Sequence, residues 1–293
     1  MTRVMLVGKN GQIGWELFQT LQSVADVTAT DRSDLDVRNR RDIFQVFETV
    51  NPDIVINATG YNDVDGAEVS KDDAFSVNVA ANKFMAAAAC KINALYLTYS
   101  TDYVFDGQKK LPYVEGDQVN PLNVYGQTKL DGETAIISSG VNFLILRTSS
   151  VFSLRRPCFL TSFLKRTQQA AQIQVRSDLV SSPTSARYLA EITTQIVCMG
   201  KDRSFEWLSE RKGVYHLAGT GAASRFEWAR EIRDILKLNL EILPSTYSDY
   251  PLGANRPMYS ALDSSSFFDT FRLPSLSWEK MLKDTLKEFY EEK

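Results

Sequence analysis

The sequence predicts an α/β fold built on a doubly wound parallel sheet, with a smaller C-terminal lobe. Two observations lead to this prediction: short apolar runs alternate with amphipathic stretches along the first half, and a glycine-rich turn directly follows the first run. Repeated strand and helix imply a parallel sheet, because right-handed crossovers return the helices to both of its faces. A chain of 293 residues can bury such a sheet and still carry a second lobe.

The period of the apolar residues places each element. Buried strands are expected over 3–7, 27–30, 54–58, 95–99 and 143–147. After Arg147 the alternation loosens, so we place a Rossmann nucleotide-binding domain at 1–148 and a mainly substrate-binding lobe at 149–293. A strand near 214–217 is expected to return to the sheet of the first domain.

Local patterns in the second half predict its elements. Ser224 and Glu227 have the spacing of a capping box at the start of a helix. Pro251 and Pro257 indicate a loop before the final helix. The pattern predicts helices over 159–171, 226–236 and 278–290, a strand over 173–176, and a turn at 181–184.

Composition argues against several classes of function. The net charge is -3, with basic and acidic residues mixed and without the basic stripe of a nucleic-acid-binding protein. No apolar run approaches the roughly 20 residues that span a bilayer, and the first residues read as a strand, not a secretion signal. We therefore expect a cytoplasmic protein with neither nucleic acid nor membrane as partner.

Cysteine and histidine usage argues against a metal site. Cys90, Cys158 and Cys198 are odd in number and lack C-x-x-C spacing, which disfavours both a disulfide framework and a zinc site. His216 is the only histidine, so a hydrolase triad or a metal centre would depend on this one residue. We expect no bound metal.

The glycine-rich turn predicts a dinucleotide-binding loop. It reads G-x-x-G-x-x-G and runs straight into a helix. The glycines permit a tight turn and close approach of the backbone to a pyrophosphate, and the helix N-terminus favours the negative charge. The loop residues expected to bind the cofactor are Gly8, Asn10, Gly11, Gln12, Ile13 and Gly14.

The end of the second strand leaves the cofactor open between NADH and NADPH. Asp31 lies seventeen residues after Gly14, where a carboxylate can accept from the ribose hydroxyls and favours NADH. Arg32 and Ser33 follow at once and can hold a 2′-phosphate. Asp36 lies either near the adenine or in a solvated loop.

A tyrosine and a lysine four positions apart form the predicted catalytic pair. Tyr125 and Lys129 lie on one face of a helix, and a nearby ammonium is expected to favour the phenolate and so bring the tyrosine pKa toward the working pH. Thr101 ends the fourth strand, beside the crevice where open α/β sheets bind ligands, and can hydrogen-bond a substrate carbonyl. Asn78 either relays protons or satisfies buried backbone groups.

The residues resemble the extended short-chain dehydrogenases and, within them, the dTDP-4-dehydrorhamnose reductase family. Two specific blocks carry most of the resemblance, STDYVFDG from Ser100 to Gly107 and PLNVYGQTKL from Pro121 to Leu130. Further matches extend over nearly the whole chain: Gly8 to Glu16, Asn51 to Asp53, Val64 with Asp65, Ala67 with Glu68, Arg147 to Ser149, Pro183 with Thr184, Tyr215 to Leu217, and Arg256 with Pro257.

This resemblance implies reduction of the 4-keto group of a dTDP-linked 6-deoxyhexose with NADH or NADPH, giving dTDP-L-rhamnose. Tyr125 would donate the proton, Lys129 would bind the nicotinamide ribose, and Thr101 with Asp102 would orient the sugar. Further residues are implied in cofactor or substrate binding: Gly11, Gln12 and Ile13 at the pyrophosphate, Ala58, Thr59 and Ser100 beside the cofactor, and Val64 and Ser150 around the sugar. Arg256 contacts the nucleotide or packs.

The chain departs from the family pattern in the expected substrate lobe. Ser150 stands where the family usually has a tryptophan that packs on the sugar, and Pro157 with Cys158 replaces paired asparagines. Glu16 and Glu288 match two residues that hold a bridging magnesium in some relatives, whereas Arg187 occupies the third position. We therefore expect a monomer or a weak dimer without bridging magnesium.

Two alternatives stay open at this point. One is a related 4-ketoreductase with another sugar or with the opposite C4 configuration, such as that of 6-deoxytalose. The other is a non-catalytic, dinucleotide-binding regulatory subunit, because relatives serve as the beta subunit of methionine adenosyltransferase. Retention of Thr101, Asp102, Tyr125 and Lys129 favours an enzyme.

Overall fold

A computed structural model describes residues 1–203, 205–246, 248–249 and 253–291. Pro251, which we assigned to a loop, and the side chain of Glu288 lie outside the described part. The strands are β1 (Arg3–Val7), β2 (Asp26–Thr30), β3 (Ile54–Asn57), β4 (Leu95–Thr101), β5 (Phe143–Thr148), β6 (Val151–Phe152), β7 (Gln172–Arg176), β8 (Val180–Ser181), β9 (Thr184–Ser185), β10 (Gly213–His216), β11 (Ala223–Ser224) and β12 (Glu241–Ser245).

Helices alternate with the strands along the first half, as the apolar periodicity predicted. A single π-helical turn (Ser76–Ala80) joins two of them, and a 3₁₀ turn (Asp102–Val104) follows β4. The α-helices are α1 (Gln12–Leu21), α2 (Arg40–Val50), α3 (Val64–Val69), α4 (Lys71–Phe75), α5 (Ala81–Lys91), α6 (Val124–Ile137), α7 (Phe159–Thr167), α8 (Ala186–Arg203), α9 (Phe205–Ser209), α10 (Arg225–Leu236), α11 (Ser265–Phe271) and α12 (Trp278–Glu291).

The central sheet has six parallel strands in the order β10-β5-β4-β3-β1-β2. Val7, the last residue of β1, is in register with Thr30 on one side and with Asn57 on the other. The strand order therefore reverses at β1, and open α/β sheets bind ligands outside the carboxyl ends of their strands at such a point. The doubly wound parallel sheet is confirmed.

Both faces of the sheet are covered, and alternate side chains of each strand enter different apolar clusters because the strand period is two. Helices α1, α8 and α10 pack on one face, and α2 and α5 pack on the other. The first face carries Leu6, Ile56, Leu97 and Leu146, and the second carries Met5, Val55, Tyr96 and Ile145. All eight side chains are fully buried, so the sheet is a rigid platform for the loops at its carboxyl edge.

The second half of the chain adds a strand to the central sheet and helices to its first face. It also forms small sheets of its own. Strand β10 pairs with β5, as expected. Helix α8 packs against α1, where the hydroxyls of Thr20 and Thr194 are 2.7 Å apart. Two-stranded pairs form between β7 and β12, β8 and β11, and β6 and β9.

Boundaries in the second half differ in part from prediction. The capping box of Ser224 and Glu227 is confirmed. The helix predicted over 159–171 ends at Thr167, because the chain must turn into β7 and pair with β12. The turn expected at 181–184 is flanked by β8 and β9, which carry Ser181 and Thr184.

Across the described ranges, the helices lack the combination of length and apolar character that a membrane span requires. The same ranges contain no group of three or more His, Cys, Asp or Glu side chains placed to hold a metal ion.

Candidate active site

A cavity of about 520 Å³ opens at the carboxyl edge of the sheet. It brings together the turn after β1, the end of β4, helix α6 and segments of the second half. The predicted residues that line it are Gly11, Gln12, Ile13, Ala58, Thr59, Ser100, Thr101, Asp102, Tyr125, Lys129 and Ser150. One cavity therefore joins the predicted cofactor loop to the predicted catalytic pair.

The glycine-rich turn has a geometry that side chains would prevent. Gly8 has φ of 94°, a left-handed conformation that favours glycine. A Cβ at Gly14 would lie 2.0 Å from the carbonyl oxygen of Gly8, so the helix approaches the turn too closely for any side chain there. Gly11 caps α1 without a side chain. The first amides of α1 therefore remain available to an anion.

A second cavity of about 320 Å³ lies beside the turn and is lined by Asp31, Arg32 and Asp36. Asp31 accepts hydrogen bonds from the backbone and the hydroxyl of Ser33 at 2.8 and 2.6 Å, and the Asn10 amide contacts its other oxygen. These bonds from Ser33 lower the pKa of Asp31. The carboxylate and Arg32 thus face the same space, which suits recognition of a ribose or of its phosphate.

Asp36 is held by a neighbouring guanidinium. Arg38 donates from Nε at 2.9 Å and from Nη2 at 2.8 Å to its two carboxylate oxygens. This ion pair lowers the pKa of Asp36 to about 2. The structure therefore places Asp36 on the wall of the second cavity as an ionised group.

Helix α6 positions the catalytic pair. Asn123 caps the helix by accepting from the backbone of Gly126 at 2.8 Å, so Tyr125 is the second residue of α6 and Lys129 follows one turn later. Lys129 is buried and donates from Nζ to the Tyr99 carbonyl at 2.7 Å. The Tyr125 phenol and the Thr101 hydroxyl line the same cavity. The three predicted residues converge at the end of β4.

Burial determines the proton affinity of both groups. It raises the pKa of the Tyr125 phenol above its usual value, with smaller effects from Thr101 and Asp102. It lowers the pKa of Lys129 to about 8, and the Glu133 carboxylate opposes that change. The expectation that the ammonium lowers the tyrosine pKa is wrong for this structure, because desolvation is the larger effect. Tyr125 keeps its proton at neutral pH.

Asp102 is a buried residue of the cavity wall that links separate segments of the chain. It is 3% exposed, and its carboxylate accepts three hydroxyl hydrogen bonds, from Thr101 at 3.1 Å, Ser149 at 2.8 Å and Ser260 at 2.5 Å. Burial raises the pKa of Asp102 to about 6, against the effect of these donors. The bonds from Ser149 and Ser260 fix the end of β4 to two distant segments.

The predicted sugar residues lie in different environments. Ser150 lines the cavity with φ of 44°, and its hydroxyl is 2.7 Å from that of Ser181. Val64 begins α3 and is not among the residues that line the cavity. Arg256 also lies outside that lining and donates to Asp65 at 3.1 and 2.8 Å.

Asn78 satisfies buried backbone groups. Its amide accepts from the backbone of Tyr61 at 2.9 Å and donates to the carbonyl of the same residue at 3.1 Å. A further bond of 3.0 Å reaches the Thr128 hydroxyl. The structure therefore supports the second of the two roles considered for this residue.

A basic segment that the motifs missed closes one side of the cavity. Arg156 donates to the carbonyl of Asn10 at 3.0 and 2.6 Å, so it lies against the glycine-rich turn. Ser153 donates to Gln12 at 2.9 Å. These bonds join positions more than 100 residues apart, which local spacing cannot reveal. Arg225, Trp228 and Phe159 also line the cavity.

Comparison with known proteins identifies the family. The family model described as RmlD substrate binding domain matches residues 1–291. The chain is 33% identical over 285 residues to a dTDP-4-dehydrorhamnose reductase of Burkholderia thailandensis, covering 94% of this chain and 95% of that protein. The corresponding enzyme of Escherichia coli K12 is 33% identical over 299 residues, with 98% of each chain covered.

Solved structures agree in fold over the full length. A dTDP-4-dehydrorhamnose reductase of Clostridium acetobutylicum has a TM-score of 0.92 at 29% identity, covering 99% of this chain and all of that one. The reductase of Bacillus anthracis, solved in complex with NADP, has a TM-score of 0.92 at 29% identity, covering 98% of this chain and all of that one. The chain belongs to the RmlD substrate-binding-domain family of dTDP-4-dehydrorhamnose reductases.

Proposed function

We propose that this chain reduces the 4-keto group of dTDP-4-dehydro-L-rhamnose to the alcohol of dTDP-L-rhamnose, with NADPH or NADH as reductant. The observation that carries the proposal is the convergence of Tyr125, Thr101 and Lys129 in one cavity with the glycine-rich turn. Relatives of 30% identity or more over nearly the whole chain are named for this reaction, and one solved relative holds NADP.

The residues present fit a dinucleotide. The turn after β1 excludes side chains at Gly14, and its helix presents free amides where a pyrophosphate would lie. Asp31 and Arg32 line the second cavity, where a ribose and a 2′-phosphate would be recognised. When bound, the nicotinamide supplies a hydride to the carbonyl carbon.

Tyr125 supplies the proton that this addition requires at the carbonyl oxygen. Because its pKa is raised by burial, it holds the proton until negative charge develops on that oxygen. Thr101 lies in the same cavity as the phenol, and its hydroxyl opposes in part the effect of burial on the Tyr125 pKa. Lys129, with a pKa of about 8, remains charged at neutral pH and stabilises the phenolate that donation leaves behind.

The remaining assignments belong to the same proposal. We assign most of the sugar-binding lobe to segments from 149 to 293. The small side chain of Ser150 leaves more space beside the sugar than the tryptophan that is usual in the family. Asp102 acts on the sugar through its hold on Thr101. We also propose a cytoplasmic location and a monomer or weak dimer without bridging magnesium.

The test follows absorbance at 340 nm when purified protein meets NADPH or NADH and enzymatically generated dTDP-4-dehydro-L-rhamnose. Turnover is expected, and Tyr125→Phe should lower it by roughly 10²- to 10⁴-fold, with cofactor binding retained. Tyr215→Phe is the matched control, because that phenol bonds the Arg211 carbonyl at 2.9 Å and is not among the cavity-lining residues.

Product identification by NMR completes the experiment, since the C4 configuration distinguishes rhamnose from 6-deoxytalose. The proposal would be overturned if neither NADPH nor NADH were oxidised although each bound measurably.

A further inference from the structure

A buried ion pair lies one helical turn beyond Lys129. Glu133 of α6 and Arg147 of β5 are 3% and 5% exposed. Arg147 donates from Nε to both carboxylate oxygens of Glu133, at 3.0 and 3.3 Å, and from Nη2 to one of them at 2.7 Å. Ser100 of β4 donates to the same carboxylate. Donors from two neighbouring strands therefore hold the Glu133 carboxylate in one position.

The place of this ion pair indicates a role in the site. Removing two charges from water is costly, and an apolar pair of similar volume often stabilises a fold as well or better. Neither Glu133 nor Arg147 lines the catalytic cavity, whereas Lys129 and Ser100, their neighbours on α6 and β4, both do. The carboxylate can therefore act on the reaction only through the residues next to it.

Lys129 is the neighbour on which that carboxylate acts. The two residues are four positions apart on α6, so their side chains share one face of the helix, with Cβ atoms about 6 Å apart. Lys129 donates to the carbonyl of Tyr99 at 2.7 Å, and the next residue of β4, Ser100, donates to Glu133. Consecutive residues of one buried strand thus fix the ammonium and the carboxylate relative to each other.

Glu133 is the charged group that opposes the effect of burial on Lys129. Burial lowers the pKa of Lys129 to about 8, and the Glu133 carboxylate acts against that change. Other ionisable groups on the elements packed against α6 have partners of their own or are accessible to solvent. Those with partners are Tyr96 with Asn82, Tyr99 with Thr193, Glu68 with the backbone of Val124, Asp65 with Arg256, Tyr103 with the Tyr125 ring, and Asp102 with Ser149 and Ser260. Those exposed or half-exposed are Lys71, Asp72, Asp73, Lys83, Cys90 and Lys91.

We propose that Glu133 is a positioning residue for the reaction: held by Arg147 and Ser100, its buried carboxylate keeps the Lys129 ammonium charged and in place beside Tyr125. The inference rests on the proposed function, in which that ammonium stabilises the phenolate left by proton donation. Without the carboxylate, burial would act on Lys129 unopposed. A larger fraction of the protein would then carry a neutral amine at neutral pH.

Direct titration of Lys129 tests the inference without turnover. Protein that contains lysine labelled with ¹³C at Cε is titrated by NMR, and the Lys129 signal is identified by its absence from Lys129→Arg. In the wild type the chemical shift should change with a midpoint at about pH 8. In Glu133→Gln the midpoint should fall by about one pH unit or more, because a nearby opposite charge favours the charged form.

The pH profile of kcat/KM gives a second readout that a merely structural role would not move. Its alkaline limb should shift to lower pH in Glu133→Gln by the same amount as the Lys129 midpoint. The loss of kcat/KM should therefore be small below the midpoint of the variant and should grow toward pH 8. A loss of equal size at every pH would overturn the inference.

A second variant guards against a failure to fold. Glu133→Gln leaves Arg147 buried without its partner, which can destabilise the protein. The double variant with Glu133→Gln and Arg147→Met removes both charges, and the methionine keeps apolar packing against Phe105, whose ring centroid lies 5.4 Å from Cζ of Arg147. Its Lys129 midpoint should also fall, although by less, because a cation is removed together with the carboxylate. Thermal melting shows which variants are folded.

Asp131→Asn is the matched control. Asp131 lies on the same helix and accepts from the Gln127 amide at 2.8 Å in an exposed contact. Its replacement should leave the Lys129 midpoint unchanged, because water screens an exposed charge.

The outcomes separate this inference from the proposed function. An unchanged Lys129 midpoint in either folded variant would overturn the role of Glu133, whether or not the wild type reduces the rhamnose precursor. A lowered midpoint in both variants, without turnover by the wild type, would support the action of Glu133 on Lys129 and remove the proposed reaction.

Discussion

Ser260 donates a hydrogen bond of 2.5 Å to Asp102, which precedes it by 158 positions in the chain. The bond ties the loop before α11 to the end of β4, where the proposed catalytic hydroxyl of Thr101 lies. Because the carboxylate is buried, its titration affects the whole fold as well as the site.

Asp102→Asn should change how stability depends on pH. Burial raises the folded-state pKa of Asp102 from 3.8 to about 6, so its stabilising contribution is complete below pH 4 and is lost as pH rises through 6. The difference between these two pKa values corresponds to roughly 3 kcal/mol. Urea unfolding at pH 4 and pH 7 should show the wild type gaining about that much relative to the variant at the lower pH.

Asp106→Asn provides a control of opposite sign, because the bond from the backbone of Gln108 lowers the pKa of Asp106. A carboxyl with a lowered pKa keeps its stabilising contribution above pH 3.8 and loses it only as pH falls further. The difference in free energy of unfolding between the wild type and Asp106→Asn should therefore be nearly the same at pH 7 and pH 4, and it should shrink only at lower pH. If the free energy of unfolding of Asp102→Asn differed from that of the wild type by the same amount at both pH values, the raised pKa assigned to Asp102 would be contradicted.

His216→Asn should reduce acid sensitivity. Burial, aided by the charge of Arg147, lowers the pKa of His216 from 6.5 to about 4, so the neutral ring contributes stability above pH 6.5 that is lost as pH falls through 4. The free energy of unfolding of the variant should fall by about 3 kcal/mol less than that of the wild type over this range. An equal fall in the free energy of unfolding of the wild type and of His216→Asn between pH 6.5 and pH 4 would refute the prediction.

Lys129 should set an alkaline limit on activity. Its pKa of about 8 means that the ammonium is lost as pH rises through 8, and kcat/KM should fall with it. Lys129→Arg keeps its charge across this range. The variant should be slower overall, because the fork does not reproduce the bond to the Tyr99 carbonyl, yet its pH profile should stay flat from 7 to 9. A fall at pH 8 in both proteins would assign the limit to another group.

Gly14→Ala should disrupt the cofactor loop. The new Cβ would lie 2.0 Å from the Gly8 carbonyl oxygen, which requires a backbone shift and should cost about 2 kcal/mol or more. NADPH affinity, measured by calorimetry, should fall in parallel. Gly116→Ala is the control, since a Cβ there meets nothing within 4 Å, and its stability should stay within about 0.5 kcal/mol of the wild type.

Elements of the sheet could be predicted closely because their signal is local. The strand expected over 95–99 is seven residues long and runs on to Thr101, so the prediction missed only its polar end. The helix predicted over 159–171 shows the opposite error. The residues at its predicted end have adequate helix propensity. The chain nevertheless leaves the helix because Gln172 pairs with Glu241 in a strand. A partner 69 positions away cannot be detected from a local sequence pattern.

The residues of the candidate site could likewise be predicted where the signal is local, and they were missed where it depends on distant parts of the chain. Tyr125 and Lys129 were found because one helical turn brings positions four apart together. Arg156 and Arg225 were missed, since the first meets Asn10 across 146 positions and the second reaches the cavity from the start of α10, far along the chain from Tyr125. The proton affinity of Tyr125 also escaped prediction, because it depends on the depth of burial and not on the spacing of charges.

Strand β10 has a consequence for dissecting this protein. It is supplied by residues 213–216, yet it covers the edge of β5 through the register from Gly213 with Leu144 to His216 with Arg147. A fragment ending at residue 148 would expose a row of unsatisfied backbone donors and acceptors along β5, a template for self-association. Residues 1–148 are therefore not expected to form an autonomous module, and expressing them alone would require the later strand to be supplied in trans.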